Sequence, residues 1–353
     1  MHNKKKLTLF KDSIRDAIYL SMKKDSNVIL MGLGVDDPKG IFGTTLNIHK
    51  KFPTRVFDLP TAENGFTGFA IGLALSGKKP IITHQRVEFS LLSLDQIFNQ
   101  AAKWNYMTAG KKSVPLVIRL IIGKGWGQGP QHSQSLEAIF SHIPGLKVVC
   151  PSNPYNAKGL LLSSIEDKNP VIFFEHRWLH ETYGRVPKSI YKVPLGKGKI
   201  IKKGKDITLI CFSLTVLECI KASKILNKFK IDVEILDLQS LRPLDKNLIL
   251  KSVKKTKKTI VVDNGWSFYG ISSEILAIIK ENDSGKNIIA KRIGLKNTSI
   301  PSTRALAKHV YPNPISIVKA VEKILGKKFK NLNLFNENDF YSDQPYKNFL
   351  GPF

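Results

Sequence analysis

Six short runs in the first half of the chain are apolar with scarcely a break. They are "VILMGLG" (28–34), "RVFDLP" (55–60), "KPIITHQ" (79–85), "VPLVIRLI" (114–121), "LKVVCPS" (146–152) and "PVIFFEH" (170–176). Continuous runs, rather than alternation, are what parallel strands covered on both faces require. Helical stretches lie between them. The N-terminal "MHNKKKLTLFKDSIRDAIYLSMKKD" is interrupted by Asp12, Arg15 and Asp16 and reads as an amphipathic helix. "SLLSLDQIFNQAAKWNYM" (90–107) and "NPYNAKGLLLSSIEDKN" (153–169) follow, the latter with Asn153 as cap and Pro154 in the first turn. This pattern predicts a doubly wound, mostly parallel α/β domain over residues 1–185.

An irregular linker is expected over 186–205, after which the alternation restarts. "ITLICFS", "DVEILDLQSLRPLD", "TIVVDNG" and "IIAKRIGL" read as strands, and "TVLECIKASKILNKF", "LILKSVKKT" and "ISSEILAIIKEN" as helices. "PNPISIVKAVEKILGKK" closes a second, smaller α/β domain over 206–328 as a capped helix, and an extended tail remains at 329–353. A length of 353 residues suits two cores.

The stretch "DLPTAENGFTGFAIGLALSG" (58–77) breaks the simple picture. After Glu63 no charge appears until Lys78, so the helix is expected to be buried on every side, with a carboxylate at its start. Such an acid needs a partner or a raised pKa. Stabilisation by the free N–H groups of a helix N-terminus is the alternative.

Composition narrows the function classes. Hydrophobic residues make up 42% and charged residues 24%, as in globular proteins. No stretch reaches the length of a membrane span. Cys150, Cys211 and Cys219 show no metal or redox spacing, and a cytoplasmic location is expected. The net charge of +27 raises the question of nucleic acid, but the lysines are spread out and not interleaved with aromatics. A Lys-rich solvated surface, or an acidic protein partner, accounts for the charge better, so no nucleic acid is expected.

Ligands of open α/β sheets bind outside the carboxyl ends of the strands. Glu63, Gln85 and the loop "GKGWGQGPQHSQS" (123–135) each follow one of these strands, with His84 and Phe89 nearby. A carboxylate, an amide and the imidazole of His132 are thereby expected on one rim. A histidine in a glycine-rich loop can donate or take a proton near neutral pH. The glycines lack Walker spacing, and no "GDG" with a distant paired Asn is present, so no diphosphate–magnesium grip is visible in this chain.

These residues carry a resemblance. "GLGVDDPKGIFGTT", "TAENGFTGFAIGLALSG", "DQIFNQAAKW", "GPQHSQSLEAIFSHIPGLKVV" and "PSNPYNAKGLLLSSIEDKNPVIFFEH" occur in an order that resembles the beta subunits of thiamine-diphosphate-dependent 2-oxoacid dehydrogenases. The similarity runs from about Leu7 to Gly326 and extends to the pyrimidine-binding and C-terminal domains of transketolase. It implies decarboxylation of a small 2-oxoacid of pyruvate or branched-chain type, with the acyl unit passed to a lipoyl group. It also implies thiamine diphosphate shared with a separate alpha subunit that holds the magnesium, and a self-dimer within a heterotetramer.

By the same resemblance Glu63 hydrogen-bonds the pyrimidine ring nitrogen and favours the imino form. Phe89 packs on the pyrimidine, Gln85 is a further contact, and His132 serves substrate binding and acyl transfer. Some family members hold a structural potassium ion, and the matching positions are Leu116, Ser164, Ile165, Asp167 and Asn169.

The chain departs from the family in "THQRVEF", where His84 and Arg86 replace apolar or aromatic residues, and at Trp126 and Gln128 before His132. Arg86 could pair with a second carboxylate or a sugar hydroxyl of the substrate. A lipoyl acyltransferase is a further implied partner, although its docking module is commonly basic and would be repelled. Two alternatives stay open: a transketolase-like carboligase subunit that transfers to an aldehyde, and a non-catalytic basic scaffold.

Overall fold

A computed structural model describes residues 7–124, 127–283, 285, 287–330 and 332. Trp126 and nearly all of the tail from residue 331 onward lie outside the described residues. The chain divides into two compact units. The first runs to Gly123 and resumes over Ile139–Leu195; the second takes Lys124–Ala138 and the chain from Gly196.

The first unit opens with α1 (Phe10–Lys24), whose buried Phe10, Ile14, Ala17, Ile18 and Met22 form one helical stripe. It then builds β1 (Val28–Gly32), β2 (Val56–Asp58), α2 (Glu63–Leu75), β3 (Lys79–His84) and β4 (Val117–Ile122). The helix α3 (Glu137–His142) spans the second boundary between the units. After it come β5 (Lys147–Val149), α4 (Pro154–Ile165) and β6 (Val171–His176). The six strands run parallel in the order β5-β6-β4-β3-β1-β2. Every residue of β1, β4 and β6 is buried, as their unbroken apolar runs require. Asn153 caps α4 by accepting from Asn156 N at 2.9 Å, with Pro154 in the first turn.

Inside this largely apolar sheet lies a buried ion pair. Arg119 on β4 meets Glu175 on β6 through Nε–Oε1 at 2.5 Å and Nη2–Oε2 at 3.0 Å, both side chains fully buried. Its remaining donors reach Thr44 Oγ1 at 2.8 Å and Thr83 Oγ1 at 3.2 Å. Burial alone would raise the Glu175 carboxyl, but Arg119 and His180 beside it hold it below the usual carboxylate range.

Two helical expectations are corrected. α2 buries Glu63, Phe66, Thr67, Ala70, Ile71 and Ala74, but its other face is open and Phe69 is 59% exposed. Residues 87–107 form no continuous α-helix. A 3₁₀ stretch (Val87–Ser93), a π-helical one (Gln96–Ala101) and a single α turn (Trp104–Met107) succeed one another. Side-chain hydroxyls there compete with the backbone ladder: Ser90 Oγ donates to Val87 O at 2.6 Å.

The second unit continues with β7 (Lys199–Lys202), β8 (Ile207–Cys211), α5 (Thr215–Lys228), β9 (Val233–Asp237), α6 (Lys246–Thr256), β10 (Lys258–Trp266), α7 (Ile271–Glu281), β11 (Ile289–Leu295) and α8 (Pro314–Leu325). The strand order is β11-β10-β8-β9-β7, parallel except for β7. β7 lies within the stretch expected to be linker. Its two apolar residues, Ile200 and Ile201, sit between lysines and are only half-buried, so no strand-like run marks it. α8 carries the expected cap, a reciprocal pair between Asn313 and Ser316, and ends at Gly326 in the left-handed conformation. Phe329, the first residue of the tail, stacks on Phe229 with ring centroids 4.7 Å apart.

Candidate active site

In the first unit the carboxyl ends of β1, β2 and β3 meet at a tight corner. A Cβ on Gly32 would lie 2.6 Å from Thr83 O, so the backbones of β1 and β3 approach more closely there than any side chain allows. Gly34 donates its N–H to Asp58 Oδ1 at 2.6 Å. Gln85 Nε2 donates to Leu33 O at 3.0 Å, which ties the end of β3 to the end of β1.

Glu63 is the first residue of α2 and is only 7% exposed. Among the described residues its carboxyl makes no hydrogen bond or ion pair. One turn on, Phe66 packs on His84 with ring centroids 5.2 Å apart. His84 is 2% exposed, and burial pushes its imidazole down to about 3, so it is neutral at physiological pH. Phe89 is half-buried just beyond, its N–H bonded to Arg86 O at 3.2 Å. Glu63, Gln85 and Phe89 therefore all lie at the strand-end rim of one unit.

A feature of this rim was not foreseen. Arg86 after β3 and Arg177 after β6 both face the ring of Phe42, at 5.7 and 4.7 Å from its centroid. Both arginines are more than nine-tenths buried. Burial, opposed by Glu88 and reinforced by Arg177, pushes the Arg86 guanidinium down to about 10. Phe42 and Ile41 have φ of 56° and 33°, an unusual conformation for such side chains. In the sequence, Arg86 stands out as a departure from the family, and the glycines Gly40 and Gly43 flank Ile41 and Phe42, but nothing local joins them to Arg177.

His132 lies in the segment 124–138, which belongs to the second unit and not to the unit whose rim carries Glu63. The imidazole is half-buried between the exposed Gln131 and the buried Ser133. Gly129, upstream, has φ of 64°, and a Cβ there would lie 2.4 Å from Ser302 Oγ.

The five positions matched to potassium cluster at the amino ends of β4 and β6. Leu116 O accepts from Val171 N at 2.9 Å, and Ser164 O, one residue before Ile165, accepts from Asp167 N at 3.3 Å. Asp167 Oδ1 accepts from Asn169 N at 2.9 Å, and its other oxygen is paired with Lys147 Nζ. A cation at this corner would compete with an ammonium group for the one charged ligand. Among the described residues no group of three or more His, Cys, Asp or Glu side chains is arranged to hold a metal ion. No described helix is long and apolar enough to cross a membrane.

Comparison with known proteins accords with the two-part architecture. Residues 9–181 match the family model "Transketolase, pyrimidine binding domain" and residues 196–317 match "Transketolase, C-terminal domain". The chain is 38% identical to the "Acetoin:2,6-dichlorophenolindophenol oxidoreductase subunit beta" of Cupriavidus necator, covering 89% of this chain and 96% of that one. It is 40% identical to the "Pyruvate dehydrogenase E1 component subunit beta" of Porphyra purpurea, with 89% and 96% covered. Among solved structures, the "Split gene transketolase, inactive beta4 tetramer" superposes with a TM-score of 0.76 over 91% of this chain and 99% of that one. At 20% identity that likeness speaks for the fold alone. The chain belongs to the transketolase-like family that includes the beta subunits of 2-oxoacid and acetoin dehydrogenases.

Proposed function

We propose that this chain is the beta subunit of a thiamine-diphosphate-dependent 2-oxoacid dehydrogenase, acting on a small substrate of the pyruvate or branched-chain type. The observation that carries this reading is Glu63, a largely buried residue whose carboxyl has no partner among the described residues, at the strand-end rim of a pyrimidine-binding-type domain. When bound, the cofactor would supply the electron sink that stabilises the carbanion left when a 2-oxoacid loses carbon dioxide. The chain's own task is to hold its pyrimidine end. Glu63 would hold a proton at the ring nitrogen, the role of a positioned acid–base group. Phe89 packs on the ring, and Gln85, fixed through Leu33, lines the same corner. Arg86 and Arg177 make this rim more cationic than its apolar surroundings.

A separate alpha subunit would bring the diphosphate and magnesium grip. The uncovered apolar face of α2, with Phe69 at its centre, suits a second copy of this chain within a heterotetramer. A lipoyl acyltransferase would accept the acyl unit, and the assembly would be cytoplasmic. Acetoin is a second substrate reading, because two relatives 38% identical to the chain carry it in their names.

Co-expression with an alpha subunit from the same organism, followed by a panel of 2-oxoacids and acetoin with a dye acceptor, tests the function. Dye reduction with pyruvate or a branched-chain 2-oxoacid is the expected result. Reduction with acetoin alone would replace the substrate, and transfer only to an aldehyde would favour a carboligase. An assembled complex inert to all of them would leave a scaffold.

His132→Ala is expected to lower overall acyl transfer by about a hundredfold, in line with loss of a positioned acid–base group. Proton exchange at the thiazolium carbon, followed by NMR in the same complex, should fall much less. Equal losses in both measurements would mean that the substitution collapses the loop rather than removing a reacting group.

A further inference from the structure

The second unit is itself an open parallel sheet, and its strand order reverses at β8. From β8 the chain passes through α5 to β9 on one side, then returns through α6 to β10 on the other. At such a reversal the carboxyl ends of the two diverging strands leave a crevice where ligands seat in open α/β sheets. Here it lies between Ser213, just after β8, and the bulged residues Asp263–Gly265 near the end of β10.

The lining is polar and buried. Ser213 is fully buried with φ of 53°, and Asp263 is 1% exposed. Asn264 Nδ2 spans the gap to Phe212 O at 3.1 Å. Asp263 accepts from Gly265 N at 3.0 Å and Ser272 N at 2.8 Å.

What reaches this crevice is the chain's own segment after His132. A Cβ on Gly265 would lie 3.1 Å from Ser135 O, so glycine lets the segment approach. Ser133 and Glu137 are 3% and 1% exposed. One Glu137 oxygen, together with the hydroxyls of Ser133 and Ser213, makes no hydrogen bond among the described residues.

We propose that the switch-point crevice of the second domain is the seat of the His132 segment, and that Glu137 is the group that makes this seat respond to pH. The proposal rests on the reading of His132 as a functional group, but its test does not. Glu137 works as a neutral acid: burial first, and the charge of Asp263 second, push its carboxyl up to about 8. The charged groups at this corner are Asp263 from β10 and, beyond it, Arg292 from β11, which donates to Ser273 Oγ at 2.6 Å. Asp263 is itself raised, by burial above all, so the two carboxyls resist ionising together.

Release of the segment exposes Glu137, whose carboxyl in water titrates near its ordinary value of 4.5. The seated form therefore binds the proton more tightly. Its advantage is complete below about 4.5 and declines by about tenfold per pH unit until the seated value near 8, then levels off.

Hydrogen–deuterium exchange of the full chain from pH 5 to 9, corrected for intrinsic exchange, reads this directly at the amides of 132–137. Wild-type protection is expected to fall about tenfold per unit up to pH 8 and then stay level. Glu137→Gln, neutral at every pH, should keep the segment protected with no such slope. Glu137→Ala, which has no carboxyl to titrate, should likewise lose the slope. A slope in either variant like that of the wild type would overturn the proposal. Exchange needs no turnover, so a catalytic role for His132 stands or falls separately.

Discussion

Glu63→Gln is expected to lower turnover of the assembled enzyme by about a hundredfold or more. The amide has the shape of the acid and fits the same buried position at the head of α2, which is 7% exposed. What it loses is the ability to share a proton with a weakly basic ring nitrogen. The folded chain should not suffer, because among the described residues the carboxyl has no ion pair or hydrogen bond to lose. Replacing an acid that has no partner in the folded chain by its isosteric amide removes no contact. Thermal unfolding and size-exclusion chromatography with the alpha subunit should therefore match the wild type while activity collapses. Near-normal turnover would remove Glu63 from the chemistry and return it to the role of a helix-terminal acid.

Arg119→Met is expected to act the other way, on stability. It strands Glu175 as a fully buried carboxylate whose two-pronged partner has gone, a change that costs about 3–5 kcal/mol in buried pairs. Thr44 and Thr83 lose a donor at the same time. The double variant Arg119→Met with Glu175→Leu should regain most of the loss, since apolar replacement of a whole pair is often near neutral. Urea denaturation of the chain reads both. Acid should mimic the single variant. The folded Glu175 is held below the ordinary carboxylate value of 4.5, so its contribution is present above that value and is lost as pH falls through the folded one. A single variant as stable as the wild type would show that the pair is not what ties β4 to β6.

The strands were legible because parallel strands covered on both faces carry unbroken apolar runs, and each of the six in the first half formed where its run lies. The caps of α4 and α8 were equally plain, since Asn followed by Pro satisfies orphan amides in only one local geometry. Other features were hidden for physical reasons. An all-apolar helix such as α2 looks the same whether its outer face is covered by its own chain or by another, so the exposure of Phe69 could not be read from spacing. Residues 90–107 have helical periodicity, but hydroxyl-to-backbone bonds such as that of Ser90 tip the stretch into 3₁₀ and π turns. β7 is too short to mark itself within a Lys-rich stretch.

The candidate site divides in the same manner. Glu63, Gln85 and Phe89 are readable as residues that follow strands, and the topology puts strand ends together. The meeting of Arg86 with Arg177 across Phe42 joins three distant positions that no local pattern connects. Glu137 is equally silent in sequence. An acid at the start of a short helix is ordinary, and only its burial beside Asp263 makes it an acid that keeps its proton.

The central claim is that this chain holds only the pyrimidine end of a shared cofactor. Titration calorimetry with thiamine diphosphate and magnesium tests it most directly, on the purified chain and on the chain assembled with its alpha subunit. Weak binding to the chain alone, replaced by tight, magnesium-dependent binding in the assembly, is the predicted result. Tight, magnesium-dependent binding to the isolated chain would contradict it.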